Sequence, residues 1–151
     1  MEKDRLKGIN ISSELVLLNI SGVENFFVSV SPFFQALKKN KINTPFLSTT
    51  FSAKGGAAVS CCFAKEDIER VKEIVQKNDS LKKNAYYIHE VGLLSVFPHR
   101  FSLNAFSLSL AVLRRANLPL LGMSSSISSL IFVLKHNTLG KAVDSLKASL
   151  F

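Results

Sequence analysis

The chain repeats itself. With residue 15 laid on residue 91, an offset of 76, Leu15-Val16-Leu17-Leu18-Asn19-Ile20 falls on Val91-Gly92-Leu93-Leu94-Ser95-Val96 without a gap. At the same offset Ala36-Leu37-Lys38-Lys39 falls on Val112-Leu113-Arg114-Arg115, Ile42 on Leu118, and Leu47-Ser48-Thr49-Thr50-Phe51 on Met123-Ser124-Ser125-Ser126-Ile127. The register then slips by four residues, which Ala53-Lys54-Gly55-Gly56 supplies as a longer turn in the first copy, and Val71 and Ile74 meet Val143 and Leu146. A duplication of this kind requires two structural units of one design. At roughly 70 to 75 residues each, they are marginal alone by surface-to-volume scaling.

Each copy reads as strand, helix, strand, strand, helix. In the first, Leu15 to Ile20 is a strand, and Phe27 to Lys39 has helical spacing with Phe27, Val30, Phe34 and Leu37 on one face. Pro32 is better placed in a first turn than inside a helix, so the helix is expected to start near Ser31. Thr44 to Ser52 and Ala57 to Phe63 form a hairpin around Lys54-Gly55-Gly56. Lys65 to Lys77 is an amphipathic helix facing Ile68, Val71, Ile74 and Val75 inward. Ala85 to Glu90 is a fourth strand running into the second copy, where the pattern recurs as strand Leu93 to Phe97, helix Ser102 to Ala116, strands Leu120 to Ser125 and Leu130 to Lys135, and helix Thr138 to Ser149 with Thr138 as its cap.

The second copy lacks a fourth strand, while the strand-like stretch Leu6 to Ile11 ahead of the first copy has no partner there. The economical solution returns the N-terminal strand, residues 5–12, to complete the second unit. The expected units are residues 13–90 and residues 91–151, interlocked rather than joined by a linker. The fold class is α+β, two βαββαβ units of the ferredoxin-like kind.

Composition narrows the function classes. A chain of 151 residues with 47% apolar and 20% charged residues can bury a core and is not disordered. Cys61 and Cys62 are sequence neighbours, too few and too close for a disulfide framework, and as strand neighbours one is expected inside and the other outside. Met1-Glu2-Lys3-Asp4-Arg5 leads into no apolar signal core, so a cytoplasmic setting is expected. Asn117, Pro119, Gly122 and five serines break up the uncharged stretch Ala116 to Leu134, which reads as two strands rather than a membrane span.

The net charge of +8 raises nucleic acid as a partner. Its clusters, Lys38, Lys39 and Lys41, then Lys82 with Lys83, then Arg114 with Arg115, lie at helix ends and connections without interleaved aromatic residues, which weighs against that reading. His89, His99 and His136 are scattered without metal-ligand spacing, and the serines at 124–129 lack the glycines of a nucleophile elbow. Neither catalysis nor a cofactor is expected.

Four stretches bring the chain close to a known family: Lys7-Gly8-Ile9-Asn10; Gly22-Val23-Glu24-Asn25; Val91-Gly92-Leu93-Leu94-Ser95-Val96-Phe97; and Gly122-Met123-Ser124-Ser125-Ser126-Ile127-Ser128-Ser129. Together with Ala142-Val143-Asp144-Ser145-Leu146, they resemble the tandem ACT regulatory region at the C-terminal end of aspartokinases. The resemblance implies a non-catalytic module binding a small amino acid (lysine, threonine or methionine) at ACT–ACT interfaces, a homodimer, and a partner or parent enzyme under its control. It places effector contacts at Ser21, Gly22, Glu24 and Asn25 with Asn43, Thr44, Ser48 and Thr49 opposite, and in the second copy at Phe97, His99 and Arg100 with Ser124 and Ser125. Val28 and Asn104 stand where that family commonly has glycine, and Pro45 and Leu121 where it often has an acidic residue. Those departures support the alternative of a dimerisation scaffold without ligand. The family's large kinase domain is not in these residues.

Overall fold

The structure, a computed structural model, describes residues 8–97 and 103–150. The chain forms two compact units, Glu14–His89 and Met1–Ser13 with Glu90–Phe151. Its strands are β1 (Gly8–Val23), β2 (Phe46–Phe51), β3 (Ala57–Ala64), β4 (Ala85–Phe97), β5 (Gly122–Ser125) and β6 (Leu130–Lys135). The helices are α1 (Phe26–Lys39), α2 (Ile68–Gln76), α3 (Asp79–Lys82), α4 (Leu103–Arg115) and α5 (Leu139–Leu150). Hydrogen-bonded strand neighbours run β2-β3-β1-β4-β6-β5. The ladders of β3 with β1 and β2, and of β6 with β4 and β5, are antiparallel.

Two sequence-predicted strands are longer than expected. The N-terminal stretch and Leu15–Ile20 are one strand, β1, and Ala85–Glu90 is continuous with Leu93–Phe97 in β4. Each passes through a left-handed residue on the way, Glu14 at φ 57 and Glu90 at φ 55.

Alternation places Val16, Leu18 and Ile20 of β1 with Val59, Cys61 and Phe63 of β3 in the core of the Glu14–His89 unit, under Val30, Phe33 and Leu37 of α1 and Ile68, Val71 and Val75 of α2. The Phe33 ring meets Phe63 edge-on at 6.5 Å. In the other unit Leu94, Val96, Leu130, Phe132 and Leu134 pack under Val112, Leu113, Ala142 and Leu146.

Several local expectations are corrected. The helix after the first strand starts at Phe26, not near Ser31, and Pro32 lies inside it. Starting there turns Val30, Phe33 and Leu37 inward, so Phe27 is 81% exposed and Phe34 only partly buried. The missing Pro32 amide deprives the Val28 carbonyl of its donor, at a residue 76% exposed where water reaches it. Thr138 does not cap with its oxygen: its hydroxyl donates to the Lys135 carbonyl (2.7 Å) within a 3-10 turn, His136–Thr138, ahead of α5. Both Cys61 and Cys62 are fully buried, because the opposite face of the inner strand β3 is also covered there, with Leu15, Leu17 and Phe46. The short helix α3 has no counterpart in the sequence reading.

The repeat offset carries over into backbone conformation. After α1, Lys41 is left-handed at φ 55, with its amide on the Lys38 carbonyl and that of Ile42 on Leu37. After α4, Asn117 is left-handed at φ 57, with its amide on Arg114 and that of Leu118 on Leu113. Both are Schellman ends, closed by the buried pairs Ile42 with Leu37 and Leu118 with Leu113.

Candidate functional site

The connection from β1 to α1 holds Ser21, Gly22, Glu24 and Asn25, all exposed. Gly22 has φ 59 and Asn25 φ 48, two left-handed residues three positions apart. Glycine meets no penalty there, and asparagine is among the residues that tolerate it best. Asn25 is the N-cap of α1, yet its side chain caps nothing and the first turn holds no acidic residue. The first amides of a helix have no intrahelical acceptor, so this terminus presents donors and the positive end of the helix dipole beside Glu24.

The loop is held from behind by residues the sequence reading did not single out. The Ser21 amide donates to the Asn84 carbonyl (3.3 Å), and the Ser29 hydroxyl donates to the Glu24 carbonyl (2.8 Å). The Asn78 side-chain amide donates to the Ser29 carbonyl (2.8 Å), while its oxygen accepts the Ser80 amide (3.1 Å) and so caps α3. The signal that could have found Asn78 is Lys77-Asn78-Asp79-Ser80 directly after an amphipathic helix, an N-cap pattern.

The other candidates of this unit lie elsewhere. The ladder sets Val23 and Phe51 on Ala57, and Phe46 on Cys62. The loop therefore sits at the C-terminal end of β2 and Asn43 and Thr44 precede its start, about 17 Å away at the usual rise of a strand. The Thr44 hydroxyl lies within bonding distance of the carbonyls of Phe46 (2.7 Å) and Cys62 (2.9 Å), closing that end of the hairpin. Asn43 and Thr44 border an open hollow of about 590 Å³ with Phe34, Lys38 and Lys41.

Ser48 and Thr49 point to opposite faces of β2. Thr49 sits opposite Val59 on the helix side, and Ser48 opposite Ser60 on the other. There the Ser60 hydroxyl donates to Asn19 Oδ1 (2.5 Å) and the Asn19 amide to the Tyr86 hydroxyl (3.1 Å).

In the second copy, Ser124 and Ser125 alternate along β5 opposite Ile131 and Leu130. The Phe97 ring packs on Gly8, where an added Cβ would lie 2.7 Å from the ring. His99 and Arg100 lie outside the described residues.

Among the described residues no cluster of three His, Cys, Asp or Glu side chains could hold a metal, and no helix is long and apolar enough to cross a membrane. Burial pushes the Cys62 thiol up to about 12 and, reinforced by Cys62, also raises that of Cys61. Neither can supply a thiolate nucleophile near neutral pH. Asp79 is held below the usual carboxylate range by its hydrogen bond to Lys82 and that residue's charge. It belongs to an exposed i,i+3 pair, as do Arg70 with Asp67 and Lys72 with Glu69.

No protein-family model and no curated protein sequence matches the chain. Solved structures do match its fold. The ligand-free regulatory subunit of aspartate kinase from Thermus thermophilus is 9% identical over 98% of this chain and 100% of its own, with a TM-score of 0.85. Aspartate kinase from Synechocystis is 12% identical with a TM-score of 0.84, and its match takes in 99% of this chain but 27% of the kinase. E. coli aspartokinase III in complex with lysine and aspartate, in its T-state, is 13% identical over 97% of this chain and 33% of its own, with a TM-score of 0.67. The fold is thus that of aspartokinase regulatory subunits and domains.

Proposed function

We propose that the protein is a non-catalytic regulatory module made of two ACT units. It binds a small amino acid and thereby controls a partner or parent enzyme of amino-acid metabolism. The first unit is residues 13–90, the second residues 91–151 completed by the N-terminal strand. The order β2-β3-β1-β4, with α1 and α2 sharing the core of Glu14–His89, is what a ferredoxin-like βαββαβ unit requires. The likeness in fold to a regulatory subunit of aspartate kinase, over 98% of this chain, supports the regulatory reading. Two unbridged cysteines suit a reducing, cytoplasmic compartment.

The observation that carries the effector reading is the left-handed pair Gly22 and Asn25 feeding an uncapped helix start. A zwitterion needs donors for its carboxylate and an acceptor for its ammonium. The first turn of α1 offers the donors, and Glu24 or the Asn25 amide oxygen the acceptor. Lysine as a ligand of the related aspartokinase III fits this class.

A second copy completes the arrangement. β2 is a terminal strand of the sheet order, and Leu47, Phe51 and nearby Phe27 are exposed. Laid antiparallel along β2, a second copy brings its Asn43 and Thr44 to the first copy's Ser21–Asn25 loop, two groups that one chain holds at opposite ends of the strand.

A thermal-shift screen of the twenty amino acids tests the reading. A ligand at a hundred times its dissociation constant stabilises the folded form by about 2.7 kcal/mol. The expected result is a rise with one basic or small polar amino acid, lost in Glu24→Gln. No shift at millimolar concentration with any of them sinks the sensing reading. A dimer indifferent to all of them favours instead the ligand-free scaffold, which the exposure of Phe27 and Phe51 also suits.

A further inference from the structure

The Ser21–Asn25 loop turns through two left-handed residues, Gly22 and Asn25, of which only the second, as a non-glycine, carries a small backbone cost. The helix it feeds is weakened as well, since Pro32 removes the amide that would bond the Val28 carbonyl, one turn into α1. Something outside the helix has to hold its first turns.

That support converges on Asn78. Its side-chain amide bonds the Ser29 carbonyl, and the buried Ser29 in turn bonds the Glu24 carbonyl inside the loop. The connection reaches the loop's other end too: the α3 turn runs from Asn78 to Leu81 and Asn84, whose carbonyl takes the Ser21 amide. The second copy offers a comparison. At the repeat offset Ser29 becomes Ala105, which has no hydroxyl, and Pro32 becomes Leu108, which keeps its amide. The proline that loosens the helix and the serine through which Asn78 steadies it occur in the same copy.

We propose that Asn78 is a positioning residue for the Ser21–Asn25 loop, acting through Ser29 and setting how strongly the loop holds its ligand. The affinity part rests on the reading of that loop as the effector site. The role proposed for Asn78 is indirect. Asn78 fixes the carbonyl of Glu24 and the start of α1 in the arrangement the ligand meets.

Asn78→Ser separates this role from the capping of α3. Serine caps a helix well but is too short to reach the Ser29 carbonyl, whereas Asn78→Ala loses both contacts. Hydrogen exchange of the full chain reads the positioning without any ligand. In Asn78→Ser, amides from Ser21 to Val30 are expected to exchange about ten-fold faster, the value of one net hydrogen bond, with those of α2 and α5 unchanged. The amino acid that stabilises the wild type is expected to bind about ten-fold more weakly, with the melting temperature of the free protein lowered only by what one hydrogen bond is worth. Ser29→Ala is expected to reproduce the loop effect and to add little to Asn78→Ser. Unchanged loop exchange, or uniform acceleration across the Glu14–His89 unit, overturns the proposal. A wild type that binds no amino acid sinks the effector reading instead, and the exchange measurement still decides whether Asn78 positions the loop.

Discussion

Glu14 and Glu90, 76 residues apart, hold the same left-handed backbone, φ 57 and φ 55, and each opens the segment where one compact unit of the chain replaces the other. Both sit inside long strands, β1 and β4, so each strand serves two units with one twisted residue at the changeover. Such a conformation costs an ordinary L-residue about 1–2 kcal/mol, and glutamate has no special tolerance of it.

Glycine at either position should relieve that strain. Glu14→Gly and Glu90→Gly are expected to be neutral or to stabilise by up to about 1 kcal/mol, despite the freedom glycine adds to the unfolded chain. Valine at the same positions should destabilise by about 1–2 kcal/mol. Urea denaturation midpoints check the ordering Gly above Glu above Val, and a valine variant as stable as the wild type would contradict the assigned backbone.

Gly92 marks the close approach of β1 to β4. A Cβ there would stand 2.8 Å from the Ser12 carbonyl oxygen and collide with the Leu139 side chain. Gly92→Ala is expected to cost about 1–3 kcal/mol, as overpacking does, because the Ser12 backbone cannot move aside. Gly140, inside α5 with open space around it, is the control. There alanine should stabilise by about 0.5–1 kcal/mol through helix propensity. Calorimetry on the two variants should move the melting temperature in opposite directions.

Phe33 and Phe27 are six residues apart on α1 and separate packing from surface. Phe33 is 1% exposed against Phe63, so Phe33→Ala should cost about 3–5 kcal/mol. Phe27→Ala should change monomer stability by less than about 0.5 kcal/mol. If the proposed pairing along β2 is right, Phe27→Glu weakens self-association in sedimentation while leaving the fold intact; unaltered association would argue against that interface.

The thiols give the protein an alkaline limit. Cys62 titrates from an ordinary 9.0 up to about 12 in the folded state, and Tyr87 from 10.0 to about 12, in both cases mainly because burial disfavours the charged form. A folded pKa raised above the unfolded value means stability fully present below pH 9 and lost as pH rises toward 12. Thermal melts between pH 7 and 11 should fall only above pH 9, and less steeply in Cys62→Ala once its own baseline stability is subtracted. In the native protein at pH 8 neither cysteine should react with a thiol reagent, and both should react after denaturation.

How far the sequence reaches is visible in individual residues. The repeat, the order of the elements and most core positions follow from patterns within a few residues of each other: Val16, Leu18 and Ile20 alternate, and Ile68, Val71 and Val75 recur at helical spacing. The Lys54-Gly55-Gly56 turn announces itself, with both glycines at positive φ. Pro32 misled because a local rule about proline gave way to the burial of Val30, Phe33 and Leu37. Cys62 misled because alternation assumes one open face, and that face is covered around Leu17.

The chain's own pattern determined that there are two units of one design and that Gly22 and Asn25 lie between the first strand and helix. Both follow from periodicity and backbone preference, which are short-range. Tertiary structure alone decided what those residues can do. It set Glu14 and Glu90 in left-handed turns inside unbroken strands and parted Thr44 from the loop by the length of β2. It also brought Asn78 to Ser29 across 49 residues of sequence. Such contacts carry no local signal, because the residues that meet are chosen by the packing of α1, α2 and α3 and not by their neighbours in the chain.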